Sequence, residues 1–522
     1  MRRLLFLLLP FTLLFAQNRQ IPKEAHTGYQ AITAKSMSAR LHFIASPELE
    51  GRETTFRGQK VAARYIASEF QRLGLKPIGD SGSYFQRFVV EATRLSDNAN
   101  ITVANGSGTT TFQFRSDFLA LAPREKKIKG QVLFIGHMDT RVDSTIAKGR
   151  IILALPGRKE DARDTGVTPM RRIMFVRPFP GSVATIIVAD DTGAGSVASL
   201  NARYNATIER GTMQVVGPNA RAQRGIFDFP ICVTPRMAEA IVSETGRTVT
   251  QLRAAALLDS GFTPTALNQT NVNIDLKRSR EIKTTENVIG FLEGSDPKLK
   301  DQVIAFTAHY DHLGIGAGGS VFHGADDDGS GTVAVIELAQ AFAANPVKPK
   351  RSLVFLTVVG EEKGLWGSDW YVKHPIIPLE KTVADLNSDM IGRMDQKHED
   401  LKNPNYVYVI GSDKISTQLD SLLKLSNKES ENITLDYTHN DEKDPQQYYR
   451  RSDHYNFARN GVPVIFFTTG EHPDYHQTTD TVDKVLFDRM ERIVRLIYYT
   501  GWKVANLKGG LVKNVSSSMF GK

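Results

Sequence analysis

Five short motifs between residues 309 and 476 carry side-chain types that bind zinc. In chain order they are His309-Tyr310-Asp311, Gly324-Ala325-Asp326-Asp327-Asp328-Gly329, Glu361-Glu362, Ser388-Asp389-Met390 and Tyr475-His476. Histidine nitrogens and carboxylate oxygens are ligands that catalytic zinc sites use. Two histidines and three carboxylates suffice for two zinc ions that share one carboxylate. The other glutamate of the Glu-Glu pair is then free to act as a base.

The charges of these residues also match a two-zinc centre. Two Zn²⁺ ions bring four positive charges, and three carboxylate ligands supply three negative ones. A hydroxide supplies the fourth and is the nucleophile in this interpretation, because paired metals acidify a water and polarise a carbonyl together. Each motif alone has an ordinary explanation, since an Asp/Gly cluster is usually a solvated turn. The complete ordered set favours a hydrolytic metal centre.

Apolar runs predict a buried strand directly before most of these motifs. The runs cover residues 303–308, 352–359, 383–387 and 462–467. The helical spacing of Val335, Leu338 and Phe342 predicts a helix that begins just past Gly331. Strands that end in polar residues, with helices between them, indicate an open α/β sheet whose site lies at the strand ends.

The ordered motifs resemble those of the zinc-dependent exopeptidases that include bacterial leucyl aminopeptidases and glutamate carboxypeptidase. The resemblance implies a three-layer α/β/α domain with a central mixed sheet, and two Zn²⁺ ions per chain. It implies five metal ligands, which are His309, Asp327, Glu362, Asp389 and His476.

The resemblance also assigns each ligand to a zinc ion. His309 and Asp389 would bind one ion, Glu362 and His476 would bind the other, and Asp327 would bridge the two. The choice of Asp327 rests on the resemblance, because composition alone leaves its two neighbouring aspartates as alternatives.

Three further residues match catalytic positions of the same family. Glu361 corresponds to the general base, and Asp311 to the carboxylate that orients His309. Tyr475 corresponds to a residue that donates a hydrogen bond to the tetrahedral intermediate in some relatives. Other polar residues beside the motifs are candidates for packing or support of ligands, and they are His312, His323, Asp453, His454, His472 and Asp480. Of these, Asp480 is a candidate to support the ligand His476.

The N-terminal residues predict a secretory signal peptide over 1–16. Met1-Arg2-Arg3 precedes an apolar run that ends at Ala16, and polar residues follow. This predicts an extracytoplasmic protein, periplasmic or secreted. No apolar stretch is long enough for a membrane span in the mature chain. Cys232 is the only cysteine, so the chain forms no intramolecular disulfide.

The remaining sequence predicts a zinc peptidase domain in two pieces, 17–115 and 266–508. Between them, 116–265 has short β-rich runs separated by Gly/Pro turns, and it resembles the protease-associated domain inserted in many such exopeptidases. His137-Met138-Asp139 repeats the His-x-Asp pattern there, but no Asp cluster, Glu pair or second His follows it at workable spacing, which indicates a structural role. The Gly- and Ser-rich tail 509–522 is predicted to be disordered.

Three functions compete on this sequence. The favoured one is an aminopeptidase whose partner is a peptide with a free N-terminus. The alternatives are a carboxypeptidase or glutaminyl-cyclase-like relative, and a non-catalytic binding protein on the same fold. The complete ligand set argues against the cyclase and the binding protein. The net charge of +8 comes without a nucleic-acid recognition motif, so no nucleic-acid partner is predicted.

Overall fold

A computed structural model describes residues 21–120, 126–157, 179–217, 230–258, 262–441 and 443–514. The chain divides into two compact units. The first unit comprises Met1–Gln86, Glu286–His312 and His323–Lys522, and the second comprises Arg87–Thr285 and Leu313–Phe322. The predicted signal peptide lies outside the described residues.

A mixed sheet forms the centre of the first unit. Its strands lie in the spatial order Thr434–Asp436, Tyr406–Ile410, Val464–Thr468, Thr382–Ser388, Val303–His309, Ser352–Val358, Arg278–Leu292 and Phe85–Leu95, with Lys76–Pro77 paired to Arg278–Leu292. The last two long strands continue into residues of the second unit.

The four strands that precede the zinc-type motifs are mutually parallel and lie next to one another. They are Val464–Thr468, Thr382–Ser388, Val303–His309 and Ser352–Val358. Their outer neighbours in the sheet run antiparallel to them. Because parallel strands end at the same edge of a sheet, the residues that follow them are brought together there. The predicted strands are confirmed.

Helices pack with this sheet in two groups. One group includes Gly331–Ala344 and Phe487–Asn506, which contact each other and the central strands. The other includes Trp366–Lys373 and His454–Ala458. This confirms the predicted α/β class. The helix Gly331–Ala344 begins at Gly331, next to the start that the sequence predicted. The remaining helices are Lys23–Ala31, Ala34–Ile44, Arg57–Arg72, Gln396–Asp400 and Thr417–Glu429.

One buried cation ties together loops of the first unit. The guanidinium of Arg52 has no solvent exposure and donates to the backbone carbonyls of Tyr310 (2.8 Å), Ile44 (2.7 Å), His323 (2.8 Å) and Gly324 (2.8 Å). Burial lowers the pKa of Arg52 to about 10, although nearby aspartates oppose the shift. The Tyr310 and Gly324 carbonyls belong to two of the zinc-type motifs, so this side chain holds both.

An eight-stranded mixed sheet forms the core of the second unit. Its strand order is Gly108–Gln113, Asn100–Asn105, Thr265–Leu276, Lys126–His137, Ile151–Leu155, Ala184–Val188, Ile231–Val233 and Phe118–Ala120. Its helices are Ser144–Ala147, Val197–Arg210, Pro235–Val242 and Val249–Leu258, and the strand Thr212–Val215 pairs with Val90–Thr93.

The second unit extends beyond the insertion predicted over 116–265. Strands on both sides of that range join its sheet, namely Asn100–Asn105, Gly108–Gln113 and Thr265–Leu276. Asn100–Asn105 pairs with the distant strand Thr265–Leu276, and Gly108–Gln113 joins the sheet through a hairpin with Asn100–Asn105. Local patterns do not reveal the distant pairing, so the sequence predicted these strands as part of the zinc domain. The identity of this unit as a protease-associated domain stays a prediction.

Two smaller predictions concern His137 and the C-terminal tail. His137 ends the strand Lys126–His137, and among the described residues the side-chain groups able to hold a metal lie in the first unit. In the tail predicted as 509–522, Asn514 is described; its backbone N–H donates to Ile415 and its side chain donates to Thr417. Residues from 515 onward lie outside the described part. Every described helix is too short or too polar to cross a bilayer.

Replacing Arg52 with Met should destabilise the first unit strongly. The substitution leaves several buried carbonyls without a donor, and each such group costs about 1–3 kcal/mol. We expect the apparent melting temperature in calorimetry to fall by about 5 °C or more. Arg72→Met is the control, because the Arg72 side chain is 55% exposed and its ion pair with Glu69 is worth little. Equal melting temperatures for the Arg52 and Arg72 variants would contradict this role.

Candidate metal centre

The four parallel strands deliver the predicted ligands to one edge of the sheet. His309 is the last residue of its strand, and Asp389 directly follows the strand Thr382–Ser388. Glu361 and Glu362 lie in a tight turn after Ser352–Val358. The remaining ligands come from loops, because the Asp cluster precedes the helix at Gly331 and His476 follows the fourth strand.

His309 lies between two of the predicted carboxylate ligands. Its Nε2 atom is 3.3 Å from Oδ1 of Asp327 and 3.6 Å from Oδ1 of Asp389. His309 is 1% exposed and Asp327 is 3% exposed, so the three groups meet away from solvent. We call these three residues the first metal position.

His476 also lies between two predicted carboxylate ligands, which are Asp327 again and Glu362. Its Nε2 atom is 3.1 Å from Oδ2 of Asp327 and 3.3 Å from Oε2 of Glu362. We call these three residues the second metal position. Asp327 therefore presents one carboxylate oxygen to each position, which is the arrangement that a bridging ligand requires.

The spacing of these atoms fits zinc. Zinc–ligand bonds of about 2.0–2.2 Å in a tetrahedron place ligand atoms about 3.3–3.6 Å from one another. The separations at the two positions run from 3.1 to 3.6 Å. Nitrogen and carboxylate oxygen are also the donor types that zinc accepts. The residues present therefore fit a pair of zinc ions.

The neighbours of Asp327 have other partners. Asp326 accepts a hydrogen bond from the Gly392 N–H (2.6 Å), and its second oxygen is 3.3 Å from Nε2 of His472. Asp328 lies within 4.8 Å of His309 and Asp389 ligand atoms, so proximity alone leaves it a candidate. However, one Asp328 oxygen already accepts the N–H groups of Gly331 (2.7 Å) and Met390 (3.2 Å).

The charge state of Asp328 also favours Asp327 as the bridge. Burial raises the pKa of Asp328 well above its usual range, and the nearby Asp389 adds to the rise. The pKa of Asp327 is instead well below its usual value, because contacts with His312, His309 and His476 outweigh its burial. An ionised carboxylate is the better zinc ligand. The geometry and the charge together support Asp327.

The two adjacent glutamates have opposite electrostatic behaviour. Burial raises the pKa of Glu361 well above its usual range, and Glu362 and Asp389 add to the rise while His309 opposes it. The pKa of Glu362 falls to about 2, because its contacts with two histidines outweigh its burial and the nearby Asp327. Groups whose environments separate their pKa values in this way take different roles in acid–base chemistry.

Asp311 contacts His309 mainly through its backbone. Nδ1 of His309 is 3.1 Å from the Asp311 carbonyl oxygen and 3.9 Å from its carboxylate. The Asp311 carboxylate accepts hydrogen bonds from the Thr54 hydroxyl (2.7 Å) and the Glu361 N–H (3.3 Å). The residue therefore orients His309 through its carbonyl and positions the turn that carries Glu361 through its carboxylate.

Tyr475 lies beside the second metal position. Its ring stacks on His476 with centroids 3.9 Å apart, and its hydroxyl is 3.4 Å from Nη2 of Arg451. Burial raises the pKa of the Tyr475 hydroxyl, and the nearby Asp327 adds to the rise. The hydroxyl therefore stays protonated and can donate a hydrogen bond.

The structure shows different contacts for the six polar residues whose roles the sequence left open. Asp480 accepts the N–H groups of Asp326 (3.0 Å) and Asp327 (3.1 Å), so it supports the bridging loop, whereas the sequence offered it as a candidate to support His476. His323 is near the backbone of Ala45. The other three behave as packing or supporting groups: His454 stacks on Phe466, Asp453 accepts from Ser368, and His472 contacts Asp326. His312 enters the centre itself.

Two supporting residues had no signal in the sequence. The Ser452 hydroxyl donates to Oδ2 of Asp389 (2.7 Å) and accepts from Asn387 (2.9 Å), which fixes the carboxylate that faces His309. The Arg52 guanidinium holds the backbone carbonyls of Tyr310 and Gly324. Neither residue has a ligand-type side chain at a strand end, so the pattern that found the ligands does not find them.

Comparison with known proteins agrees with this geometry. The sequence model of Peptidase family M28 matches residues 287–501. A probable leucine aminopeptidase 2 of Aspergillus oryzae is 31% identical over 205 residues, which are 38% of this chain and 37% of that protein. Aminopeptidase YwaD of Bacillus subtilis is 26% identical over 264 residues, 49% of each chain. This chain thus spans half or less of the length of these relatives.

A solved structure shares the fold over nearly the whole chain. It is the aminopeptidase from Aneurinibacillus sp. strain AM-1, with a TM-score of 0.51 and 18% identity, covering 94% of this chain and 98% of that one. The family match over 287–501 contains His309, Asp327, Glu362, Asp389 and His476. The segment that matches the model of Peptidase family M28 thus carries all five of the predicted ligands.

Proposed function

We propose that this protein is a di-zinc aminopeptidase that removes N-terminal residues from peptides. The observation that carries the proposal is the Asp327 carboxylate, which offers one oxygen to each of two ligand groups with zinc-like spacing. The names of the relatives support the same activity. We propose an extracytoplasmic location on the signal-peptide pattern alone.

The surrounding residues have the properties that peptide hydrolysis requires. Zinc ions held by the five ligands would acidify a water and polarise the scissile carbonyl. Glu361 lies 3.9 Å from Nε2 of His309 and outside the ligand set, so it is free to take a proton from the water and deliver it to the leaving amine. The protonated Tyr475 hydroxyl would donate to the carbonyl oxygen as it gains negative charge.

The charges around the centre favour a substrate ammonium over a substrate carboxylate. Asp327, Glu362, Asp389 and a bound hydroxide would together neutralise two zinc ions, so no net positive charge would remain. The cations near the motifs in sequence are already paired with carboxylates, as Lys363 with Glu53, Arg393 with Asp474, and Arg451 with Glu471. Arg450 is exposed. A free α-amine therefore meets a better-matched environment than a terminal carboxylate.

The full-length protein should contain two zinc ions per chain. Metal analysis after dialysis against metal-free buffer measures this, and Asp327→Asn should lose zinc from both positions because it removes the shared ligand. Asp444→Asn is a matched control, since Asp444 is buried and accepts the Tyr448 and Gln446 N–H groups far from the ligand set in sequence. A wild-type protein saturated at one zinc or none would overturn the proposal.

Glu361→Gln should separate chemistry from metal binding. We expect kcat for a leucine amide to fall by about 10²–10⁴-fold, because amide nitrogen cannot accept the water proton. Zinc content should remain at the wild-type value, since Glu361 is not a ligand.

Glu362→Gln provides the contrast for this experiment. Its carboxylate belongs to the second metal position, so we expect zinc loss along with loss of activity. If Glu361→Gln lost zinc and Glu362→Gln kept it, the two roles would have to be exchanged.

The direction of attack can be tested with one peptide in four forms. The N-terminus is free or acetylated, the C-terminus is free or amidated, and products are identified by mass spectrometry. We expect acetylation to abolish cleavage and amidation to leave it intact. Cleavage that survives acetylation and is lost on amidation would show a carboxypeptidase.

A further inference from the structure

His312, a candidate for packing or ligand support in the sequence, lies against the second metal position. Its Nδ1 atom is 2.8 Å from Oε1 of Glu362 and 3.8 Å from Oδ2 of Asp327. Ligand atoms of these three residues all lie within 4.8 Å of one another. The His312 ring also meets the His476 ring edge to face, with centroids 6.0 Å apart. Two imidazoles therefore converge on the same pair of carboxylates.

The imidazole of His312 is buried without a hydrogen bond. The residue has no solvent exposure, and neither ring nitrogen makes a hydrogen bond of acceptable geometry. Nδ1 approaches Oε1 of Glu362 to 2.8 Å, and this oxygen is also buried without a hydrogen bond. A buried polar nitrogen without a partner is unfavourable, and coordination of a metal would satisfy it.

The surrounding backbone holds the ring in this place. The His312 N–H donates to the carbonyl of Arg52 (3.4 Å), whose side chain fixes the neighbouring loops. A side-chain carbon at Gly324 would lie 2.5 Å from Cγ of the His312 ring. Because a larger residue at 324 would displace the ring, the start of the Asp loop is shaped around His312.

We propose that Nδ1 of His312 is a ligand of the metal ion at the second position, together with Asp327, Glu362 and His476. This inference rests on the proposed zinc function. It makes the two positions unequal, because the second has four protein ligands and the first has three. A zinc ion with three protein ligands leaves a position open for water or substrate, whereas one with four must expand to five-coordinate to bind either. The second ion would then be the tighter one and the first the exchangeable one.

The competing explanation is that His312 only positions Glu362 through a hydrogen bond. The two explanations predict different results when Asn replaces His312. An Asn side chain places an N–H donor near the location of Nδ1, so it restores a hydrogen bond but is a poor zinc ligand. His312→Asn and His312→Phe therefore form the test pair, both made in the full-length chain.

The direct measurement is zinc X-ray absorption of the wild-type protein, which counts imidazoles around the metal. We expect three imidazoles shared by two zinc ions, contributed by His309, His312 and His476. Two imidazoles for two zinc ions would overturn the proposal. This result needs no variant, so it holds even if a substitution prevents folding.

Zinc competition with a chelator gives the second measurement. We expect both His312 variants to weaken the tighter zinc by more than about 100-fold, beyond the 10–100-fold effect of a residue that only supports a ligand. Recovery in His312→Asn to within about tenfold of wild type would show a positioning role and overturn the proposal.

His398→Asn is the matched control. His398 is buried, and its Nδ1 is 2.7 Å from Oδ1 of Asp395, which resembles the His312–Glu362 contact in a different part of the first unit. Its zinc affinities should equal those of wild type. Failure of the wild-type protein to bind zinc would overturn the proposed function itself, whereas two zinc ions with only two imidazoles would overturn the role of His312 alone.

Discussion

The burial of negative charge is the constraint on which the arrangement of the first unit depends. Asp311, Asp326, Asp327 and Asp328 are each 3% exposed or less, and further carboxylates lie beside them. An isolated buried carboxylate is strongly unfavourable unless it is paired, hydrogen-bonded or bound to a metal. Arg52 supplies one buried positive charge near this cluster. The histidines and the proposed pair of zinc ions would balance the charge that Arg52 does not.

These buried carboxylates are stabilised by two different kinds of contact. Asp326, Asp328 and Asp480 accept backbone N–H groups, which tie the Asp loop to neighbouring segments. Asp327 uses both carboxylate oxygens toward histidine nitrogens. The backbone-bound carboxylates thus fix the loop, and the loop presents the single carboxylate that faces both positions. A binding site is accurate when its supporting groups are themselves fixed in this way.

The sequence predicted what depends on local pattern and strand order. The apolar runs identified the strands before His309, Glu361 and Asp389, and parallel strands necessarily bring the residues after them to one edge. The supporting residues depend instead on contacts between distant segments, such as Ser452 with Asp389 across 63 positions. The extent of the second unit escaped prediction for the same reason, because its sheet pairs strands that are far apart in the chain.

His312 shows where the local pattern was ambiguous. A histidine three residues after His309 could point into the protein or along its surface, and the spacing does not decide between them. The residue follows the strand that ends at His309, so it has no period-two alternation to fix its side. Its direction is set by Gly324, which leaves room for the ring, and by the Arg52 carbonyl, which binds its N–H. Both contacts are long-range.

The Glu361–Glu362 pair depends on backbone freedom at two glycines. In a strand, adjacent side chains point to opposite faces of the sheet, so two consecutive glutamates would not reach one site. Here they lie in a single 3₁₀ turn, Glu361–Lys363, where successive residues are about 120° apart. Gly360 and Gly364 flank the turn with φ of +81° and +106°, values that favour glycine.

This turn gives the two carboxylates different surroundings. Glu362 faces His476 and the Asp327 oxygen of the second position, while Glu361 lies beside His309 without joining its ligands. The opposite shifts of their pKa values follow from that difference of about one-third of a turn. A substitution with a side chain at either glycine would strain the backbone and disturb both carboxylates together. The proposed roles of Glu362 in metal binding and Glu361 in proton transfer therefore depend on the turn as well as on the two glutamates.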